Sequence, residues 1–321
     1  MIDPLLQIWL ALALDGCIGD PRRWPHPVRL IGRWAALLER PARRMIRSAK
    51  AAGLITAAMV VCSSGLAAAA LLHGAAVISP MVHDILAIVL LYTCFAARDL
   101  ADHSREVQSL LATGDLAAAR QSTARMVGRD TRTLDENGIV RATVESVAEN
   151  TVDGVIAPLF FAFLFGPVGA VVFKAVSTLD SLFGYRNERY RLFGWASARL
   201  DDLANYVPAR LAIIPITLAA AGCGRSAAKI WRIFRRDSRK HASPNAGYPE
   251  AAFAAALAVQ LGGPVLRGGK LETMPLMGDP GQPLHRSHIG QANAVLALAT
   301  LWTAILLTVC QIVWNSLEGV S

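Results

Sequence analysis

Charged residues are scarce in this sequence: 17% of its 321 residues are Asp, Glu, Lys or Arg, whereas 54% are hydrophobic. A soluble domain usually has about 25% charged residues. Six apolar runs approach the roughly 20 residues with which a helix crosses a bilayer. They are Pro4–Ile18, Ala51–Ile78, Ile85–Ala97, Val155–Val176, Val207–Cys223 and Ala294–Trp314. The sequence therefore predicts a polytopic membrane protein.

Paired cysteines are also lacking, and no cleavable leader is expected. None of the cysteines forms a C-x-x-C pair, so neither a disulfide framework nor a zinc site is indicated. All five lie in or beside apolar runs: Cys17, Cys62, Cys94, Cys223 and Cys310. The first apolar run contains Asp15 and has no small-residue cleavage site, so a removable signal peptide is not expected.

Acidic residues are outnumbered, 24 against 32 Lys and Arg, which gives a net charge of +8. Nine cations lie in 20–50, seven in 98–154 and ten in 224–293, whereas 73–84 has none. This distribution indicates membrane topology, and no nucleic-acid partner is expected. The positive-inside rule predicts that the three cation-rich segments are cytoplasmic and the 73–84 connection external.

Strand-like alternation is scarce, which predicts an all-α fold with irregular or re-entrant segments in one integral membrane domain. Residues 98–154 are interpreted as a cytoplasmic helical insertion, in which Asp115 caps a helix, and 224–293 as a cytoplasmic loop and helix region. Within the latter, 225–240 combines cations with apolar residues. This pattern favours an interfacial helix on anionic lipid over a dedicated ligand site.

The runs 155–176 and 207–223 must together return the chain to the side it left. Either both cross the membrane or both are hairpins that enter from the cytoplasm. Gly166-Pro167 interrupts the first run, and Pro208 and Pro215 interrupt the second. Broken backbone at membrane depth is tolerated only within protein or beside a watery cavity, and we favour hairpins.

Three carboxylates precede the 155–176 run at helical spacing: Glu145, Glu149 and Asp153. Like charges four residues apart on a helix repel unless a positive group lies opposite. Arg141 is a candidate partner for Glu145 only. Mg²⁺ often takes one or two carboxylates together with phosphate oxygens, so the stripe favours a metal–nucleotide site over an ion-paired surface.

Other polar groups adjoin the apolar runs. Asp15 lies within a predicted membrane segment and is a site candidate on that ground. Asp20, Arg22 and His26 follow in a proline-rich segment.

Asp180 ends one apolar run, and Asp201, Asp202 and Asn205 precede the next, with a basic and aromatic stretch between them. Its donors suit phosphate or carboxylate. The turn 241–247 before an Ala-rich helix offers caps and an anion cradle.

These motifs, in this order, resemble adenosylcobinamide-phosphate synthase, the integral membrane enzyme of cobalamin biosynthesis. The segments that carry the resemblance are "GDPRRWPHPVRLIG", "GRDT", "RATVESVAENTVDGVIAPLF", "STLDSLFGY", "ARLDDLANYVPARL" and "SPNAGYPEA". Ser177 stands where the family often has Asn, and 264–277 lacks an expected aromatic residue. The resemblance implies a multi-pass protein of the bacterial inner membrane with a cytoplasmic active side.

The resemblance also implies a reaction: ATP and Mg²⁺ join the propionate of adenosylcobyric acid to (R)-1-aminopropan-2-ol or its O-phosphate. We assign catalysis to Asp180, Glu149 and Arg186, with Asp180 as proton acceptor, and metal binding to Glu145, Glu149, Asp153, Asp201 and Asp202. Predicted substrate or ATP contacts are Asp20, Arg22, His26, Arg129, Asp130, Thr131, Asn150, Tyr185, Asn187, Asn205, Arg210, Ser243, Asn245, Tyr248 and Glu250. Oligomeric state and association with other cobalamin-biosynthesis enzymes stay open.

Two other functions account for part of the pattern. A Mg²⁺-dependent membrane prenyltransferase would use the two acidic motifs but leaves the proline-rich and 243–250 segments unexplained. A transporter would use broken helices and Asp15, yet most signature residues lie in predicted cytoplasmic connections.

Overall fold

The computed structural model describes residues 2–20, 26–185 and 187–318. Arg22 and Arg186, two predicted site residues, lie outside these ranges. The helices in chain order are α1 (Pro4–Ile18), α2 (Pro27–Met45), α3 (Ala49–Ile78), α4 (Pro80–Tyr92), α5 (Ala97–Ala112), α6 (Leu116–Thr123), α7 (Glu136–Thr151), α8 (Ala157–Phe183), α9 (Trp195–Ala204), α10 (Tyr206–Leu211), α11 (Ile213–Gly222), α12 (Ala227–Asp237), α13 (Gly247–Leu257) and α14 (Ser287–Glu318). The predicted helical class is confirmed.

The chain forms two compact units: residues 1–96 with 153–207, and residues 97–152 with 208–321. In the first unit α3 packs against α2, α4, α8 and α9. In the second, α14 packs against α5, α7, α11 and α13. The second unit thus contains most of the predicted insertion together with the C-terminal region.

Four helical stretches among the described residues are long and apolar enough to cross a membrane, or five if the bent pair 195–204 and 206–222 is one span. The four are Ala49–Ile78, Pro80–Ala112, Glu136–Phe183 and Ser287–Leu317. The predicted multi-pass character is therefore supported by length and composition. The N-terminal run forms α1 with the predicted bounds, because Asp3 accepts from the N–H groups of Leu5 and Leu6 and Gly19 ends the helix.

A sharp reversal divides α8 at Gly166, whose φ is 63° and ψ −157°. The rings of Phe161 and Phe173, on either side of Gly166, stack with centroids 5.2 Å apart. In a straight helix, residues 12 positions apart are separated by about 18 Å. The two arms therefore lie side by side as a helical hairpin, whose entry into the membrane from the cytoplasm stays a prediction.

Gly166→Ala should lower the free energy of unfolding by about 1–3 kcal/mol, because this φ/ψ region is essentially confined to glycine. A Cβ here would meet no atom within 4 Å, so the expected effect is backbone strain. Gly74→Ala, in α3, is the matched control, since a Cβ there also meets nothing within 4 Å but the backbone is helical. The measurement is denaturant unfolding in detergent. Equal free energies of unfolding for the two variants would refute the expected strain at Gly166.

Residues 207–223 do not repeat this reversal. They form α10 and α11, which continue as one helical stretch, Tyr206–Gly222, despite Pro208 and Pro215. The run therefore contains no reversal of its own, and its entry into the membrane from the cytoplasm stays a prediction. Each proline lies near the start of a short helix, where few backbone N–H groups need an intrahelical partner.

An antiparallel hairpin of β1 (Leu261–Arg267) and β2 (Lys270–Met277) was not predicted. Basic helix α12 buries Ile230 and Ile233, and Lys229, Arg232 and Arg236 lie 3.9, 3.3 and 2.7 Å from Asp279 carboxylate oxygens. Part of its basic face is thus neutralised by protein.

Candidate functional site

The second unit contains a buried ion pair that joins a loop to a helix. Arg129 follows the glycine of the "GRDT" motif, and its guanidinium lies 2.6 Å from Glu145 Oε2. Glu145, in α7, is 4% exposed. Its Oε1 accepts a hydrogen bond of 2.7 Å from the Gly262 N–H in β1. Glu145 therefore connects three separate parts of the sequence, and a positive partner lies opposite it, as predicted.

Close backbone packing explains why the second residue of β1 is glycine. Gly262 has φ +88°, and a Cβ on it would lie 2.1 Å from the Pro275 carbonyl oxygen. The loop before α7 joins the same strand, since the Asp130 N–H donates to the Leu266 carbonyl oxygen at 2.8 Å. Arg141, the predicted partner of Glu145, instead donates to the Pro264 carbonyl oxygen at 3.2 Å. The hairpin is thus anchored to the acidic helix.

The predicted stripe of three carboxylates is divided. A π-helical turn, Val152–Ile156, follows α7, and its wider turn breaks the four-residue register. Glu145 and Glu149 act electrostatically on Glu250, whereas Asp153 acts on Lys174 in its own unit. Glu149 is exposed and Asp153 half-buried. The three carboxylates therefore do not lie on one continuous helix face.

Glu250 and His241 lie beside the Arg129–Glu145 pair. Glu250 is in the first turn of α13 and 7% exposed, and its Oε1 is 3.9 Å from His241 Nε2. Burial, then the negative charges of Glu145 and Glu149, raise the pKa of Glu250 well above its ordinary value, against the opposing effect of Arg129. We name Arg129, Glu145, His241 and Glu250 the Arg129 cluster.

A second cation in this unit lies over an aromatic ring. The Arg210 guanidinium is 4.3 Å from the centre of the Tyr248 ring and donates to Asn245 Oδ1 at 3.3 Å. Ser243 Oγ accepts from the N–H groups of Asn245 and Ala246, both at 3.2 Å, which fixes the turn before α13. The predicted residues of this segment are thus brought together around Arg210.

Several predicted contacts in this unit serve the local structure. Thr131 is buried, and its hydroxyl donates to the Arg120 carbonyl oxygen. The Asn150 amide donates to the Ser146 carbonyl oxygen one turn earlier. Asp130 pairs with Arg132 at 2.5 Å, and the hydrogen bonds from that guanidinium lower the pKa of Asp130 to about 2.

In the first unit, two of the predicted acidic residues act on each other. Asp180 is half-buried in the last turn of α8, and the charge of Asp202, in α9, repels it. Asp202 also lies 3.3 Å from Arg199. Asn205 is buried and donates to Asp201 Oδ2 at 3.1 Å. Repulsion between nearby carboxylates favours a cation between them.

Lys174, which sequence reasoning did not assign, lies in the second arm of α8. Lys174 is half-buried as a residue, and its buried ammonium is in the electrostatic field of Asp15, Asp20 and Asp153. Asp20 Oδ2 is also 3.8 Å from His26 Nε2, and His26 caps α2 by accepting from the Val28 N–H. These contacts gather the N-terminal acids around one lysine. A cation within an apolar run is the signal by which this residue can be found.

Two residues predicted to contact substrate or ATP, Tyr185 and Asn187, lie away from the charged groups described above. Tyr185 is exposed. Asn187 accepts from the Tyr190 N–H at 3.0 Å and shapes a turn. Neither position is buried among the charged groups described above.

The carboxylates differ in how well they suit Mg²⁺. Among the described residues, no group of three or more His, Cys, Asp or Glu side chains forms a candidate metal site. Mg²⁺ bound with phosphate oxygens needs only one or two carboxylates. Asp180 and Asp202 suit this arrangement, whereas both oxygens of Glu145 already face protein donors.

Comparison with known proteins shows extensive similarity along the chain. A profile of the family described as "CobD/Cbib protein" matches residues 8–296. "Cobalamin biosynthesis protein CobD" of Geobacter metallireducens is 45% identical over 304 residues, 92% of this chain and 96% of the relative. Its namesake in Pelobacter propionicus is 48% identical over 271 residues, 84% of each chain. No solved structure matches significantly. This chain belongs to the CobD/Cbib protein family.

Proposed function

We propose that this chain is the ATP-dependent ligase that joins adenosylcobyric acid to (R)-1-aminopropan-2-ol or its O-phosphate. Family membership supports a role in cobalamin biosynthesis. The structural observation that carries the chemistry is the Arg129 cluster, in which a buried carboxyl of high basicity lies beside a buried ion pair. The metal-binding role assigned to Glu145, Glu149, Asp153, Asp201 and Asp202 stays a prediction.

Amide formation needs an activated acid. A carboxylate is a poor electrophile, so the γ-phosphoryl group of ATP is first transferred to the propionate and an acyl phosphate forms. Guanidinium groups stabilise charge on the phosphoryl oxygens. Arg210 suits this role, since its planar group is held by stacking on Tyr248, whereas Arg129 is already paired with Glu145. When bound, Mg²⁺ would supply additional charge neutralisation. The carboxylates proposed to hold it are Asp180 and Asp202 in the first unit and Glu149 in the second.

Amide formation also needs an uncharged amine. The amino alcohol is an ammonium ion at neutral pH, so a protein group must accept a proton before the nitrogen attacks the acyl carbon and phosphate leaves. The products are then the amide, ADP and inorganic phosphate. A prenyl transfer would need neither ATP nor an amine.

Mass spectrometry of the corrinoid product tests the proposal. Purified protein is supplied with adenosylcobyric acid, ATP, Mg²⁺ and either amino alcohol in turn. The expected product is the corresponding amide, with one ADP formed per amide. Corrinoid of unchanged mass with every amine, from protein that is folded in detergent, would refute the proposal.

Asp202→Ala should lower turnover by about 10²–10³-fold at limiting Mg²⁺, the order of effect expected when one electrostatic stabiliser of a transition state is removed. Part of the loss should be recovered at high Mg²⁺, because the remaining carboxylate still attracts the ion. Asp102→Ala is the control, since Asp102 is exposed and pairs with Arg98 and Arg105. Near-normal turnover of Asp202→Ala at limiting Mg²⁺ would rule out metal binding by Asp202.

A further inference from the structure

The tautomer of His241 is set by the turn that precedes α13. The Ser243 N–H donates to His241 Nδ1 at 2.9 Å. A ring nitrogen that accepts a hydrogen bond carries no proton, so the neutral ring bears its proton on Nε2. Burial lowers the pKa of His241 and so favours the uncharged ring. Its Nε2–H therefore faces the Glu250 carboxylate, 3.9 Å away.

The groups around Glu250 come from three neighbouring segments. Glu145 and Glu149 lie in α7, Arg129 lies in the loop before it, and the uncharged His241 lies in the turn before α13. Two anions and one cation leave a net negative field at the carboxyl. An arriving ammonium group would be attracted to this field, and its proton would move toward the most basic carboxylate present.

We propose that Glu250 accepts the ammonium proton of the amino alcohol and that His241 is a positioning residue, whose Nε2–H orients the Glu250 carboxylate. The inference rests on the proposed ligase function and places the proton acceptor at Glu250 instead of Asp180. One N–H bond breaks, an O–H bond forms on Glu250, and the freed lone pair attacks the acyl phosphate. The second nitrogen proton leaves with the departing phosphate. His241 cannot take the proton through Nε2, since that atom already bears one.

Two nucleophiles test this assignment in the full-length protein with adenosylcobyric acid, ATP and Mg²⁺. 1-Aminopropan-2-ol is a cation at neutral pH, whereas hydroxylamine is uncharged and needs no proton acceptor before attack. Glu250→Gln should slow amide formation with aminopropanol by about 10²–10⁴-fold, the usual contribution of general-base catalysis. Hydroxamate formation should stay within about threefold of wild type on the same argument. Glu272→Gln, an exposed glutamate in β2, should change neither rate.

The pH dependence supplies a second readout. The aminopropanol rate of Glu250→Gln should rise with pH in proportion to the free amine. His241→Asn removes the Nε2–H that lies 3.9 Å from Glu250 Oε1. On the proposed positioning role, the pH midpoint of the aminopropanol rate should move upward while the hydroxamate rate does not change.

Each contrary outcome has a distinct form. Equal loss of both products in Glu250→Gln, or a near-normal aminopropanol rate, overturns the assignment of Glu250. An unshifted midpoint in His241→Asn overturns the role of His241. If the wild-type protein makes neither amide nor hydroxamate, the ligase function itself is refuted.

Discussion

Arg129→Met is expected to destabilise the protein by about 3–5 kcal/mol, because it leaves Glu145 buried without its cationic partner. The Glu145 side chain is 6% exposed and that of Arg129 14%, so solvent can replace little of the lost interaction. Glu145 would keep its hydrogen bond from the Gly262 N–H, which compensates only one of its oxygens. Denaturant unfolding of the detergent-solubilised protein measures the change.

Two further variants separate the ion pair from a general effect of losing arginine. Arg132→Met is the matched control, because the Arg132 side chain is 85% exposed, and it should change stability little. The double variant Arg129→Met/Glu145→Gln removes both charges and should recover most of the lost stability. If the double variant were as unstable as Arg129→Met alone, the ion pair would not be the cause.

Local signals fixed much of the helical architecture. The bounds of α1 follow from Asp3 and Gly19. Asp115 caps α6 as predicted, since it accepts from the Ala118 N–H at 2.9 Å. The reversal in α8 follows from a glycine–proline pair within an apolar run. In each case the residues that determine the structure are neighbours in the sequence, so a single chain is sufficient to find them.

The β-hairpin and the contacts of Glu145 could not be found in this way. β1 contains Gly262, Gly263 and Pro264, which disguise the alternation typical of a strand. Glu145 and Gly262 are 117 residues apart, and helical spacing gives no information on such a contact. Helical spacing also placed Asp153 below Glu149, but it assumes 3.6 residues per turn, and the π-helical turn breaks that assumption.

The charged residues were therefore easier to find than their partners. Arg129, Glu145 and Glu250 of the Arg129 cluster were all singled out in the sequence, whereas His241 was not. Carboxylates at helical spacing and an arginine that follows a glycine are conspicuous in an apolar chain. Which cation neutralises which acid depends on packing between elements. The sequence favoured Arg141 for Glu145, whereas the loop before α7 places Arg129 there.

Lys174→Met is expected to reduce stability by about 3 kcal/mol, the order of effect seen when one side of a buried charged group is removed. Asp15, Asp20 and Asp153 all act on this ammonium, and Asp15 is 3% exposed within α1. Without the cation their mutual repulsion is no longer offset. Denaturant unfolding of the detergent-solubilised protein measures the change.

Charge, and not side-chain volume, should determine this result. Lys174→Arg retains the cation and is expected to stay close to wild type in stability, and Lys174→Met/Asp153→Asn removes one charge of each sign and should recover part of the loss. Lys270→Met, at the exposed end of β2, is the control for loss of a lysine. Comparable unfolding of Lys174→Met and Lys270→Met would contradict the argument. Recovery in the double variant would show that the lysine stabilises the first unit by offsetting nearby carboxylates, of which Asp15 is buried within an apolar helix, where few waters are available to solvate a charge.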